Sequence, residues 1–98
     1  MPKPKLPYVI IRASEAGVFA GELRTRAGAE AVLVNARRLW YWDGAATLSQ
    51  LANDGVSKPQ NCKFPAEVPT IIILGVIEVI PATDRARKSI AGVEEWKA

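Results

Sequence analysis

The eleven residues from Thr70 to Ile80 (Thr-Ile-Ile-Ile-Leu-Gly-Val-Ile-Glu-Val-Ile) constrain the fold of this chain more than any other stretch. Their β-branched character makes them a strand, and period-two alternation divides them into two faces. Ile71, Ile73, Gly75, Ile77 and Val79 form one wholly apolar face. Thr70, Ile72, Leu74, Val76, Glu78 and Ile80 form a second that is nearly so. A strand of this kind is covered on both sides. A chain of 98 residues has material for one core, and short helices can cover one sheet face but not two. Two solutions stay open. Either a second copy of the chain supplies the missing cover, or the strand curls into a small half-barrel with its own strands opposite.

The remaining segments fill in an α+β domain. Tyr8 to Arg12 (Tyr-Val-Ile-Ile-Arg) reads as a strand, Ser14 to Gly17 as a turn, Val18 to Thr25 as the second arm of a hairpin, and Arg26 to Ala29 as the next turn. Glu30 to Trp42 is long enough for one bent strand or for two joined near Asn35. Thr47-Leu48-Ser49-Gln50 matches a capping box and opens a short helix that ends at Gly55. Prolines 59, 65 and 69 make the next stretch a surface loop. Pro81 ends the apolar strand. Thr83 or Asp84 then caps a last helix to about Val93, with Ala82, Ala86, Ile90 and Val93 inward and Arg85, Arg87 and Lys88 outward; Trp96 folds back onto the body. The expected architecture is a small antiparallel β-meander sheet with a short central helix and a C-terminal helix, a single domain over residues 8–98. It is preceded by an extended Pro/Lys arm over residues 1–7, where alternating prolines forbid a helix.

Composition removes most catalytic chemistries. The chain has no histidine, so the usual general base, the commonest metal ligand and the Ser-His and Cys-His pairs are missing. Its single cysteine, Cys62, reads as a small buried hydrophobe and fits a reducing, cytoplasmic setting. No glycine-rich phosphate loop is present, and Asp43, Asp54, Glu67 and Glu78 show no spacing that pairs them. We therefore expect a non-enzyme without metal or cofactor. A net charge of +3 argues against nucleic-acid binding driven by phosphate neutralisation, and no apolar run is long enough for a membrane-spanning helix.

The conspicuous cluster is Asn35-Ala36-Arg37-Arg38-Leu39-Trp40-Tyr41-Trp42-Asp43-Gly44. Alternation puts Arg38, Trp40 and Trp42 on one side and Arg37, Leu39 and Tyr41 on the other, so each side mixes cation with aromatic. An arginine can hold a phosphate in a bidentate fork while an indole or phenol stacks on a base. The small residues 44–46 lead to a helix start at Thr47, where backbone donors are free. Arg37, Arg38, Trp40, Tyr41, Trp42 and Thr47 are accordingly the candidate residues for an anionic, nucleotide-like ligand. The competing reading is packing: alternating tryptophans commonly fill a core or an interface, arginines stack on them, and a capping threonine is structural first.

The run from Asn35 to Ala52, followed by Gly55-Val56, Pro59, Asn61 to Pro65 and Val76 to Pro81, resembles a family of short proteins encoded by tailed bacteriophages and prophages, known as a domain of unknown function. The resemblance extends from about Tyr8 onward. It brings no activity and no functional residue with it. It implies a setting, the cytoplasm of an infected bacterium, where small accessory proteins act by stoichiometric binding. One such role is an oligomeric sponge that sequesters the cyclic-nucleotide or ADP-ribose signals of bacterial immunity. The alternative is a protein–protein module that inhibits a host protein or assembles with a phage component.

Overall fold

In the computed structural model, which describes residues 6–97, five strands and two helices follow in the order β1 (Tyr8–Ala13), β2 (Gly17–Ala27), β3 (Glu30–Arg38), α1 (Leu48–Asp54), β4 (Val68–Leu74), β5 (Val76–Pro81) and α2 (Asp84–Ala91). All strand pairs are antiparallel, and the sheet order is β4-β3-β2-β1-β5. The α+β class, with one central and one C-terminal helix, is as expected. The arm read over residues 1–7 lies outside the described residues up to position 5. At its end, the Pro7 carbonyl accepts from the Leu23 N–H and extends the β1–β2 ladder.

The apolar stretch at 70–80 is two strands, not one. Gly75, at a φ of +74°, breaks it, and the halves run along opposite margins of the sheet, β4 beside β3 and β5 beside β1. One residue can join the two margins only if the sheet is rolled. The hydrogen bonds at the joint agree: Ser14 N–H donates to the Gly75 carbonyl, and Val76 N–H donates to the Ala29 carbonyl. Ser14 and Ala29 belong to the turns at the two ends of β2, a strand that would span roughly 33 Å if straight. Two register shifts bend it, between Ala20 and Glu22 and between Leu23 and Thr25. At the first shift Gly21 is buried against β3, where a Cβ would sit 2.9 Å from Ala36 Cα. The sheet thus has the rolled, half-barrel form that was one of the two solutions open from the sequence.

Rolling gives the sheet an inside and an outside. The inside is filled from all five strands by Val9, Ile11, Ala13, Phe19, Ala31, Leu33, Ala36 and Ile73, with Val76 and Val79 at its edge. Outside the β1–β2 portion a second core forms: Ile10, Ala20 and Leu39 pack against Leu51, Ala52 and Val56 around α1, Cys62 and Phe64 of the loop, and Ile90 and Val93 of α2. β1 is therefore the strand covered on both faces. β4 is not, since Ile72 (62% exposed) and Leu74 (66%) face solvent. In α2, Ala86 and Ile90 point inward as expected; the helix ends at Ala91, short of the expected Val93, which is buried just beyond it. Arg87 does not point freely outward; it lies half-buried over the Tyr8 ring, 3.5 Å from Glu22. Among the described residues no helix is long and apolar enough to cross a membrane.

Candidate functional site

β3 bends at Asn35, which takes a φ of +50° and is held there by donating through Nδ2 to Glu22. The strand ends three residues later, and alternation sends its last two side chains apart. Arg37 turns toward the helical layer and is buried. Its Nη1 donates to the carbonyls of Ile90 and Val93 at 3.0 and 2.9 Å, its Nη2 to Phe64 at 2.8 Å and its Nε to Pro65 at 3.1 Å. The guanidinium also lies over the Phe64 ring. Two of the four acceptors, Ile90 in the last turn of α2 and Val93 just past its end, lie where the helix dipole favours a cation. Burial lowers the Arg37 pKa, and the negative charges of Glu67 and Glu95 raise it. Arg37 is thus a clamp joining barrel, loop and helix, and it does not present a free fork to solvent.

Arg38 turns the other way. Its guanidinium stacks on Phe19, 4.6 Å from the ring centre, and Nη1 donates to the Ala16 carbonyl at 2.7 Å. Among the described residues its Nε and Nη2 have no hydrogen-bond partner. Beside it runs a cleft of about 360 Å3 lined by Arg38, Leu39, Trp40 and Trp42 from one segment and by Glu15 to Val18 from the β1–β2 turn. The two segments are fixed together by the register Phe19 to Arg38 and by the Leu39 N–H donating to the Val18 carbonyl. Trp40 is 64% exposed, whereas Trp42 is half-buried against the helix-side core. The two tryptophans thus divide between the readings open from the sequence, one free and one packed.

Tyr41 and Thr47 lie outside this cleft. Tyr41 points to the opposite side and forms a bridge with Lys63, whose N–H donates to the Tyr41 carbonyl at 2.7 Å. Lys63 in turn sits over the ring of Trp96, held by the Trp96 N–H donating to the Phe64 carbonyl. Thr47 caps α1 by accepting from the Gln50 N–H, while the Gln50 side chain accepts from Ala46 rather than from Thr47. The structure therefore brings Arg38, Trp40 and Trp42 together and sets Arg37, Tyr41 and Thr47 apart. Glu15, Ala16 and Gly17 join the cleft unforeseen, since only the strand register, not a local pattern, places their turn beside residues 38–42.

The acids do not converge. Glu78 pairs with Arg12 at 3.1 Å, Asp54 lies 4.0 Å from Arg85, and Asp43 accepts from Asn61. Cys62 is buried, which pushes its thiol pKa up, and among the described residues no three acids or cysteines gather as a metal set would require. The chemistry this arrangement offers is recognition: a cation with two open donors, two indoles, and a neighbouring carboxylate that limits the negative charge a ligand can bring.

The chain matches no curated protein and no solved structure. Its sequence does match one family model, over residues 6–90, so the stretch from the start of the barrel to α2 is a shared unit. The chain belongs to the family defined by the domain of unknown function DUF6948.

Proposed function

We propose that this chain is a phage-encoded, non-catalytic binding protein that holds an anionic, ring-bearing ligand of the nucleotide class in the cleft of Arg38, Trp40 and Trp42. The observation that carries the proposal is the meeting of two unpaired guanidinium donors with two indoles in a cleft of about 360 Å3, which lies at the low end of small-molecule sites. The Arg38 fork takes a phosphate oxygen and an indole stacks on the base. Glu15 on the same cleft favours a ligand with few negative charges, such as a cyclic phosphodiester, over a triphosphate. The resemblance of residues 35–52 to tailed-phage proteins supports the setting: the cytoplasm of an infected bacterium, with sequestration of an immune signal as the role.

Calorimetric titration with cyclic oligonucleotides and ADP-ribose derivatives tests this. Saturable heat is expected with the wild-type chain, a loss of tenfold or more in affinity with Arg38→Gln or Trp40→Ala, and unchanged binding with Tyr41→Ala. Absence of heat with every ligand, at protein concentrations well above micromolar, overturns it. A second reading, a module that binds a host or phage protein, draws on the exposed Tyr41, Lys63 and Trp96 surface, because aromatic side chains beside a cation are typical of protein interfaces. An affinity pull-down from infected cells that loses its partner with Tyr41→Ala but not with Trp40→Ala favours that reading.

A further inference from the structure

The two margins of the rolled sheet are built differently. β5 carries the devices that keep an edge from pairing: Ile77 is the extra residue of a bulge between Arg12 and Ala13, Glu78 places a charge in an ion pair with Arg12, and Pro81 closes the strand. β4 carries almost none. Pro69 stands near its start, and the five residues after it, Thr-Ile-Ile-Ile-Leu, are uncharged, mostly β-branched and free of bulges. β4 pairs only with β3, and among the described residues no backbone group of 68–74 bonds outside that ladder. Its outward side chains are exposed and, Thr70 apart, apolar, Ile72 at 62% and Leu74 at 66%, and Val32 continues the apolar row on β3 directly opposite Ile72.

We infer that β4 pairs edge to edge, antiparallel, with β4 of a second copy of this chain. A two-fold axis at Ile72 sets Ile72 against its own copy, Ile71 against Ile73 and Thr70 against Leu74. No charge meets another anywhere along these five residues, so the edge is complementary to itself. The same axis keeps the outward rows on one side, where the two Ile72 side chains become cross-strand neighbours and shield each other from water. It supplies, edge to edge, the partner for a strand that the roll of the sheet leaves half uncovered. A single strand pair is a small interface, so association falls in the micromolar range, on the order of 10 µM. None of the residues lining the Arg38 cleft lies in β4, so the dimer and ligand binding stand or fall separately.

Sedimentation equilibrium from about 1 to about 200 µM, a range that brackets this affinity, reads the proposal. The wild-type chain is expected to pass from monomer to dimer. Ile72→Lys, which places two cations face to face on the axis, is expected to stay monomeric at every concentration, with its circular dichroism unchanged because the side chain is exposed. Ile77→Lys on β5 is expected to dimerise as the wild type does. Ile72→Cys is expected to give a reducible covalent dimer on mild oxidation, and Ile77→Cys none; this pair decides the matter even if Ile72→Lys fails to fold. A wild-type chain monomeric throughout, a dimer that survives Ile72→Lys, or cross-linking at 77 instead of 72 overturns the inference.

Discussion

Arg37 and Arg38 are neighbours with the same side chain and opposite duties, and the difference comes from what stands behind each. Behind Arg37 are four backbone carbonyls, from Phe64, Pro65, Ile90 and Val93; Phe64 also accepts from the Trp96 N–H and Ile90 from the Val93 N–H, whereas among the described residues Pro65 and Val93 have Arg37 alone. Removing the guanidinium strands the Pro65 and Val93 carbonyls and weakens the satisfaction of the other two, and buried acceptors to a charged donor cost about 1.5–3 kcal/mol each when first lost, less as the layer relaxes. Arg37→Met is therefore expected to destabilise the fold by about 3 kcal/mol or more, measured by urea unfolding. Arg37→Lys should recover little, because a single ammonium cannot span the fork. Arg38→Gln should cost under about 1 kcal/mol, since one exposed hydrogen bond and the stacking of a solvent-facing guanidinium on Phe19 are lost while the glutamine stem still covers the ring. If the two positions prove equally costly, the clamp is not what ties α2 to the barrel. The sequence showed that these side chains part company, because alternation is local. It could not show the carbonyl cradle, whose members lie 27 to 56 residues further along the chain.

Among the elements, the joint between β4 and β5 decides whether the sheet lies open or rolls. Gly75 adopts a φ of +74°, and a Cβ there would stand 3.0 Å from the Ser14 Oγ. Gly28, in the β2–β3 turn, also has a positive φ, +58°, but nothing lies within 4 Å of a Cβ built on it. Alanine at either site incurs the left-handed penalty of about 1–2 kcal/mol; at Gly75 it also crowds the Ser14 Oγ, beside the hydrogen bond from the Ser14 N–H to the Gly75 carbonyl. Gly75→Ala is therefore expected to lower the unfolding free energy by more than Gly28→Ala does, by about 1 kcal/mol. Equal losses would mean that the joint adds no constraint beyond its backbone angle. The same joint explains why the strands were legible and their arrangement was not. Apolar alternation runs through Gly75 without interruption, so residues 70–80 read as one two-sided strand. What makes them two is register with Ala29 and Ser14, far away in the chain. Asn35 left a clearer trace: the sequence puts either a bend or a joint between two strands near it, and the chain takes a positive φ there inside one strand.

At the scale of the whole molecule, a barrel and a helical layer share β1, and Tyr8 stands where they meet. Its ring lies under the Arg87 guanidinium of α2, its carbonyl accepts from the Ala82 N–H, and it packs against the helix-side core. Burial pushes the phenol pKa up to about 12, with Glu67 and Glu22 adding to the rise and Arg37 and Arg87 opposing it. In the unfolded chain the phenol ionises near its ordinary value of 10. The folded state therefore holds a proton that the unfolded state has already released between pH 10 and 12. The stability tied to this proton is complete below pH 10, declines as pH rises through that window and is gone above 12. A shift of this size corresponds to about 2 kcal/mol for a phenol partly open to solvent. The quantity to measure is the difference in unfolding free energy between wild type and Tyr8→Phe across pH 7 to 12, which isolates this phenol. That difference should be flat up to about pH 9 and then fall by about 2 kcal/mol by pH 12, because phenylalanine packs alike but has no proton to lose. Were it flat throughout, the phenol would be as well solvated folded as unfolded, and Tyr8 could not be part of the seam between the two layers.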